Sequence, residues 1–290
     1  MEVRAKKALG QHFLTDQKVA RAIVDALEPF PTMPLSEAKA PAGARPCPGL
    51  SQKDGKGLEA AGGPGESYSP VLEVGPGMGV LTQYLMDRSD IDLRLVEIDS
   101  ESVEYLLTHF QGMQGRLMEA DFLTLRLEKI FDGDFAIIGN FPYNISSQIF
   151  FKVLDYKDRI PQVVGMVQKE VAERIAEKPG SKTYGILSVL LQAWYDIDYI
   201  MSVGSGAFAP PPKVQSAVIR LRRNGRTALG CDEKAFKTVV KTAFNQRRKT
   251  LRNALKPLLP EGFDASDPVF DLRAERLSVE DFVALTQQIF

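Results

Sequence analysis

The chain has 290 residues, 44% of them hydrophobic and 25% charged, with a formal net charge of −1, the balance of a globular protein with room for one main and one small domain. Two histidines, His12 and His109, and two distant cysteines, Cys47 and Cys231, leave no metal-ligating spacing, no Ser-His-Asp set and no disulfide framework, so no metal is expected. No run of about 18 apolar residues suggests a membrane span, and the start lacks an apolar signal region, so a cytoplasmic location is expected.

Lys6 to Leu14 reads as a basic, irregular lead-in whose Gly10-Gln11-His12-Phe13-Leu14 can fold over a ligand. Asp16 is placed to cap a helix with Val19, Ala20, Ile23, Val24 and Leu27 on one apolar face. Residues 31–70 are rich in Pro, Gly, Ala and Ser with little apolar periodicity, and read as a flexible surface insertion.

Val71-Leu72-Glu73-Val74 is a short strand that runs into Gly75-Pro76-Gly77-Met78-Gly79 and then a helix with Leu81, Tyr84 and Leu85. Strand, glycine turn and helix open a doubly wound nucleotide-binding sheet. Val80 stands where a dinucleotide fingerprint needs its third glycine, and no Gly-Lys-Ser/Thr follows, so NAD and P-loop readings fall away. Glu73 can receive the charged end of a ligand. The next strand, Leu93 to Asp99, ends in acid. Glu97 is the first choice to accept ribose hydroxyls and Asp99 the second, with capping of the next helix as its other reading. A third strand, Arg116 to Glu119, leads to Asp121, which can accept from an adenine amino group or cap a helix.

Phe135 to Gly139 reads as a buried parallel strand that delivers Asn140-Phe141-Pro142-Tyr143 to its carboxyl end, where open α/β sheets hold ligands. Asn140 offers an amide oxygen, Pro142 a carbonyl and Tyr143 a flat face, a set able to grip a planar amine; the alternative is a turn whose Tyr packs in the core. Asn144 or Ser146 then caps a helix with Ile149, Phe150 and Leu154. Val163 to Val167 is a fifth strand, followed by helices at 171–177 and 187–191. Residues 195–203 and 214–223 alternate as an antiparallel pair at the sheet's edge. The prolines of Phe208-Ala209-Pro210-Pro211-Pro212 can hold Phe208 outward as a second stacking face, or leave it buried. After Arg226 the pattern is helical only, with Ser278 and Asp281 as a capping box for the last helix. Two domains follow: 1–227, carrying the sheet, and 228–290, helical.

Between Tyr199 and Lys256 the only acids are Asp232 and Glu233, against thirteen Lys and Arg, which points to a polyanion partner. Lys213, Arg222, Arg223, Arg247, Arg248, Lys249 and Arg252 are the candidates for a phosphate backbone.

The motifs Asn140-Phe141-Pro142-Tyr143-Asn144-Ile145-Ser146 and Ala243 to Asn253, with the lead-in, the glycine turn, Glu97 and Asp121, make the chain resemble the bacterial small-subunit ribosomal RNA adenine dimethyltransferases (KsgA, or RsmA, family). The resemblance covers nearly everything except 31–70. It implies a Rossmann-like class I methyltransferase, S-adenosylmethionine as methyl donor, and N6,N6-dimethylation of two adjacent adenosines near the 3′ end of 16S rRNA. It implies that Gly75 and Gly77 line the cofactor, Glu97 binds its ribose, Asp121 its adenine amino group, and Gln11 closes over it. His12, Leu14, Glu73, Ile98 and Phe122 complete the expected cofactor wall, which Asn140 also touches. Asn140 and Pro142 are expected to hold the target N6, with Tyr143 and Phe208 stacking its ring. His12 stands where many relatives carry Asn. The expected partner is 16S rRNA in the immature small subunit, bound by a monomer without metal or membrane. Three rivals remain: a related methyltransferase of large-subunit RNA, an assembly factor without catalysis, and a nicotinamide oxidoreductase.

Overall fold

The computed structural model describes residue 6 and residues 9–30 and 68–290. Most of the expected insertion, with Cys47, lies outside the described residues. Its expected tail does not: Ser69 and Pro70 begin the first long strand.

Seven strands form one sheet. In chain order they are β2 (Ser69–Val74), β3 (Ile91–Glu97), β4 (Leu117–Glu119), β5 (Ala136–Asn140), β6 (Gln162–Gln168), β7 (Tyr195–Val203) and β9 (Ser216–Arg223). Their order across the sheet is β4-β3-β2-β5-β6-β9-β7, and only β9 runs against its neighbours. The chain builds outward from β2 in one direction and then returns to build from β5 in the other. That reversal puts a crevice beyond the carboxyl ends of β2 and β5, the usual ligand position in such sheets. A two-residue ladder joins β1 (Phe13–Leu14) to β8 (Phe208–Ala209), tying the amino-terminal arm across that crevice.

The central strands are apolar runs because helices cover both faces. Successive side chains point to opposite faces, so Val71 and Leu72 enter different layers. Val71, Ile138 and Val164 pack with α1 (Gln17–Asp25) and α2 (Thr82–Met86) through Ile23, Val24 and Leu85. Leu72, Ile137 and Val163 pack with α4 (Ser146–Asp155), α5 (Lys169–Ala176) and α6 (Ile186–Gln192). Each fully buried Ile or Leu contributes roughly 1.5–3 kcal/mol. α3 (Ser100–His109) flanks β3 and β4.

The carboxyl-terminal helices α7 (Glu233–Asn245), α8 (Leu251–Ala254) and α9 (Val279–Ile289) continue the second layer. Phe236, Val240, Phe244 and Phe282 belong to the same apolar cluster as Leu187 and Leu191 of α6. The expected caps hold at both ends of the chain. Asp16 Oδ1 accepts from Lys18 N at 2.9 Å, and Ser278 and Asp281 bond reciprocally at 3.1 and 2.9 Å. The expected cap of α4 does not form: Ile145 takes that position, and the Ser146 hydroxyl turns back to the Tyr143 carbonyl at 3.3 Å.

Candidate active site

The glycine turn after β2 is backbone geometry first. Gly75 and Gly77 have φ of +69° and +56°, a left-handed conformation that side chains rarely tolerate. A Cβ on Gly77 would also lie 3.1 Å from the Phe13 ring of the arm. The turn therefore presents bare backbone to the crevice while the arm closes over it.

Glu97 ends β3 beside this turn and is 4% exposed. Its Oε1 accepts from Ile98 N at 2.8 Å and Asp99 N at 2.9 Å, and its Oε2 from Gly77 N at 3.0 Å. Burial pushes this carboxyl up, and those three backbone donors counter part of the rise. The carboxylate thus clamps the glycine turn to the end of β3, and Oε2 keeps acceptor capacity for a sugar hydroxyl. Asp99 is spent otherwise. Burial would raise it, but Lys6, Ser102 and Gln11 donate to it and hold it below the usual carboxylate range. Asp99 therefore anchors the amino-terminal arm, while Glu97 lines the crevice.

Glu73 lies beneath the turn, 1% exposed. Its Oε2 accepts from Thr82 Oγ1 at 2.8 Å, while Oε1 is buried without a partner. Burial raises its carboxyl to about 8, and the charge of nearby Glu97 adds to the rise. A buried carboxyl oxygen with no partner is costly unless a donor or cation reaches it.

On the far wall, Asn140 closes β5. Its Nδ2 donates to the His12 carbonyl at 3.0 Å. A carbonyl can only accept, so the bond fixes which way the amide points: nitrogen to the arm, and Oδ1 without a hydrogen-bond partner among the described residues. The Pro142 carbonyl accepts from Ile145 N at 3.2 Å, which closes the turn and leaves its second lone pair. Tyr143 is half-buried, and its hydroxyl is 2.5 Å from Ser216 Oγ at the start of β9. The His12 ring stacks on the Tyr143 ring at 5.3 Å between centroids, held by a bond between His12 Nδ1 and the Pro210 carbonyl at 3.0 Å.

These groups share one hollow of about 200 Å³. It is lined by Gln11, His12, Leu14, Glu73, Gly75, Gly77, Glu97, Ile98, Asp121, Phe122, Asn140, Pro142 and Tyr143. Every residue expected to bind cofactor is in its wall. Asp121 Oδ1 accepts from Leu123 N at 2.8 Å, leaving Oδ2 as an acceptor. The arrangement brings the Glu97 carboxylate and the Asn140–Tyr143 turn to the same cavity, with acceptors, Asn140 Oδ1 and the Pro142 carbonyl, along the turn.

Phe208 is not in that wall. It is 4% exposed, because its strand β8 pairs with β1 and turns the ring into the layer with Leu14 and Ile23. The outward stacking face expected of it is corrected to a core position. Tyr143 has His12, not Phe208, as its aromatic neighbour.

The basic candidates separate. Lys213 lies at the site end of β9, exposed. Arg222 and Arg223 do not, because β9 is antiparallel: Ser216 pairs with Gln168, and Arg222 with Gln162 at the opposite edge. Six residues of strand put them roughly 20 Å from the site. Arg222 is ion-paired to Asp198 at 3.1 Å, and Arg223 donates to the carbonyls of Lys157, Trp194 and Arg226. Arg223 is thus held by carbonyls inside the protein, and Arg222, though exposed, is ion-paired away from the site. Arg252 is bonded to Asp271 at 2.8 Å and Arg247 to the Lys182 carbonyl at 2.6 Å. Arg248 and Lys249 are exposed, and among the described residues their side chains make no hydrogen bond or ion pair.

One positioning feature was missed. A Cβ on Gly139 would lie 2.5 Å from the Val74 carbonyl, and one on Gly165 would lie 2.4 Å from the Phe141 ring. The two glycines form a notch that seats Phe141, fully buried, beneath the Asn140–Tyr143 turn. The signal was a lone glycine inside each of two buried strands, which marks close approach.

A family model described as ribosomal RNA adenine dimethylase matches residues 58–289. A Parabacteroides distasonis protein named ribosomal RNA small subunit methyltransferase A is 55% identical over 287 residues, covering 98% of this chain and 93% of its own. A Porphyromonas gingivalis protein of the same name is 53% identical over 289 residues, covering 99% and 98%. Two solved structures share the fold. A dimethyladenosine transferase from Plasmodium falciparum gives a TM-score of 0.64 at 24% identity over 76% of this chain and 89% of that one. The 23S rRNA methyltransferase ErmE gives 0.63 at 22% identity over 96% and 99%.

Proposed function

The chain belongs to the ribosomal RNA adenine dimethylase family, and from that premise we propose that it methylates N6 of two adjacent adenosines near the 3′ end of 16S rRNA, twice each. It is a methyltransferase of ribosomal RNA adenine that uses S-adenosylmethionine. The small-subunit target rests on the high identity to proteins named for that subunit. The observation that carries the chemistry is Asn140 Oδ1, left free by the His12 bond, in the same hollow as Glu97.

S-adenosylmethionine fits the chemistry of this wall. Glu97 Oε2 suits a ribose hydroxyl, Asp121 Oδ2 the adenine amino group, and the unpartnered Glu73 Oε1 the ammonium of the methionine end. When bound, it supplies a methyl group activated on a positively charged sulfur. The protein's share is positioning and electrostatics. Asn140 Oδ1 and the Pro142 carbonyl would accept the two N6 hydrogens in the first transfer and the one that remains in the second, and so orient the nitrogen's lone pair for attack. Adenine N6 is a weak nucleophile because that lone pair is shared with the ring, so alignment supplies much of the rate. Positive charge would pass from sulfur to nitrogen as the nitrogen–carbon bond forms and the carbon–sulfur bond breaks, and two fixed acceptor dipoles favour it there. Each transfer would end with one N6 proton leaving to solvent. Tyr143 offers its face to an adenine that has left its stack, in place of His12. The arm is held beside the site by Lys6 and Gln11, which donate to Asp99.

Arg248, Lys249 and Lys213, whose side chains make no hydrogen bond or ion pair among the described residues, are proposed to meet the RNA backbone. The proposed setting is the immature small subunit in the cytoplasm, with the enzyme acting as a monomer. Labelled S-adenosylmethionine with under-methylated small or large ribosomal subunits, followed by nucleoside mass spectrometry, tests this reading. N6,N6-dimethyladenosine in small-subunit RNA alone is expected. Label in large-subunit RNA would redirect the assignment to the related enzymes of that subunit.

A further inference from the structure

Lys152 lies on α4, the helix that starts from the Asn140–Tyr143 turn, yet its ammonium reaches the other wall of the hollow. It donates to the Phe122 carbonyl at 2.5 Å, to the Leu123 carbonyl at 3.1 Å and to the Leu125 carbonyl. It also sits 5.1 Å from the centre of the Phe122 ring. An ammonium has three N–H groups, and all three are spent on one loop. That loop carries Asp121 and Phe122 into the hollow. Its amides turn the other way: Leu123 N donates to Asp121 Oδ1, and Thr124 N and Leu125 N donate to the Asp121 carbonyl at 3.1 and 3.0 Å. The donors of the loop thus converge on Asp121 while its carbonyls converge on Lys152.

Lys152 makes no ion pair among the described residues. Three carbonyl dipoles and an aromatic face compensate its charge at close range, and the Asp121, Glu128 and Asp155 carboxylates favour it from farther away. Such an arrangement is demanding. A surface lysine gains more from water, and half-burying this one pulls its ammonium below the usual lysine range. Without it, three inward carbonyls would point at one another with no donor between them.

We propose that Lys152 is a positioning residue that fixes the 121–125 loop so that Asp121 reads the adenine amino group of the cofactor. This rests on the assignment of Asp121 to that amino group. The inference adds a mechanical link: the helix that begins at the target-amine turn also sets the geometry of the donor-binding loop. Lys152 touches neither substrate, so its effect is carried by Asp121 and Phe122.

The test compares S-adenosylhomocysteine with its inosine counterpart, which has a ring oxo group in place of the amino group. Affinities are measured by calorimetry on wild type, Lys152→Met, Lys152→Arg and Asp121→Asn, with kcat and KM for S-adenosylmethionine. Lys152→Met is expected to bind the adenosyl ligand about tenfold more weakly and to shrink the adenosyl-over-inosyl preference to about threefold or less. Its KM should rise by a similar factor while kcat at saturation stays within about twofold. Lys152→Arg, which restores donors, should recover most of the preference, and it carries the test if Lys152→Met does not fold. A wild-type preference in Lys152→Met, or in Lys152→Arg no better than in a folded Lys152→Met, would overturn the proposal. If Asp121→Asn keeps the wild-type preference, the assignment of Asp121 fails and the proposal with it. Loss in Asp121→Asn alone would sink only the role of Lys152.

Discussion

Glu73→Gln should change how stability depends on pH. Burial holds the Glu73 carboxyl at about 8, against an ordinary 4.5. Moving a carboxyl that far corresponds to on the order of 5 kcal/mol, at about 1.4 kcal/mol per pH unit. Below pH 4.5 the group is protonated in both folded and unfolded chains and has no effect. Between 4.5 and 8 the unfolded chain releases the proton and the folded one keeps it, so stability falls as pH rises. Above 8 the full cost is present. Gln keeps the shape and the Thr82 contact without a titrating proton. Urea unfolding of ligand-free protein from pH 5 to 8.5 should show wild type losing a few kcal/mol more than Glu73→Gln. The two should converge near pH 5, with the variant the more stable at pH 8.5. Saturating S-adenosylhomocysteine should narrow the gap if, as proposed, Glu73 Oε1 receives its ammonium. Parallel pH profiles would mean that Glu73 is ionised throughout, and would refute the reading of it as a neutral carboxyl awaiting a cation.

Gly165→Ala places a methyl 2.4 Å from the Phe141 ring. It should cost about 1–3 kcal/mol in unfolding free energy and lower kcat more than it raises the cofactor KM; unchanged kcat would remove Phe141 from the positioning of the turn. The Arg248→Ala/Lys249→Ala pair should make RNA binding less salt-dependent, reducing the slope of log affinity against log salt by about 1.4–1.8 for two lost phosphate contacts, as read by filter binding across a salt series. Arg223→Ala, by contrast, should lower the melting temperature and leave that slope alone, since its guanidinium is bonded to three carbonyls inside the protein. A slope change in Arg223→Ala with an intact fold would return it to the RNA surface.

Much of this architecture was legible in the chain. The central strands β2 and β5 stand out as apolar runs ended by the glycine turn and the Asn-Phe-Pro-Tyr turn, the edge pair by its alternation, and the glycine turn with an acid at the end of the next strand already implied a nucleoside site. What escaped depends on distances that no local pattern records. Phe208 is buried because two residues of β8 pair with two of β1, nearly 200 positions earlier. Arg222 and Arg223 fell on the wrong side because alternation reveals a strand but not its direction within the sheet. The two acids after β3 look alike in sequence; their partners, backbone amides for Glu97 and Lys6 for Asp99, separate them. Lys152 reads as an ordinary lysine on an amphipathic helix until the loop it gathers is in view.

The most direct test measures S-adenosylmethionine affinity and methyl transfer to small-subunit RNA side by side in wild type and Asn140→Ala. Affinity is expected to fall less than about tenfold, because the lost bond to the His12 carbonyl leaves Lys6 and Gln11 holding the arm, and transfer by at least a hundredfold, because the grip on the target amine has gone. Transfer at the wild-type rate in a folded Asn140→Ala enzyme would contradict this.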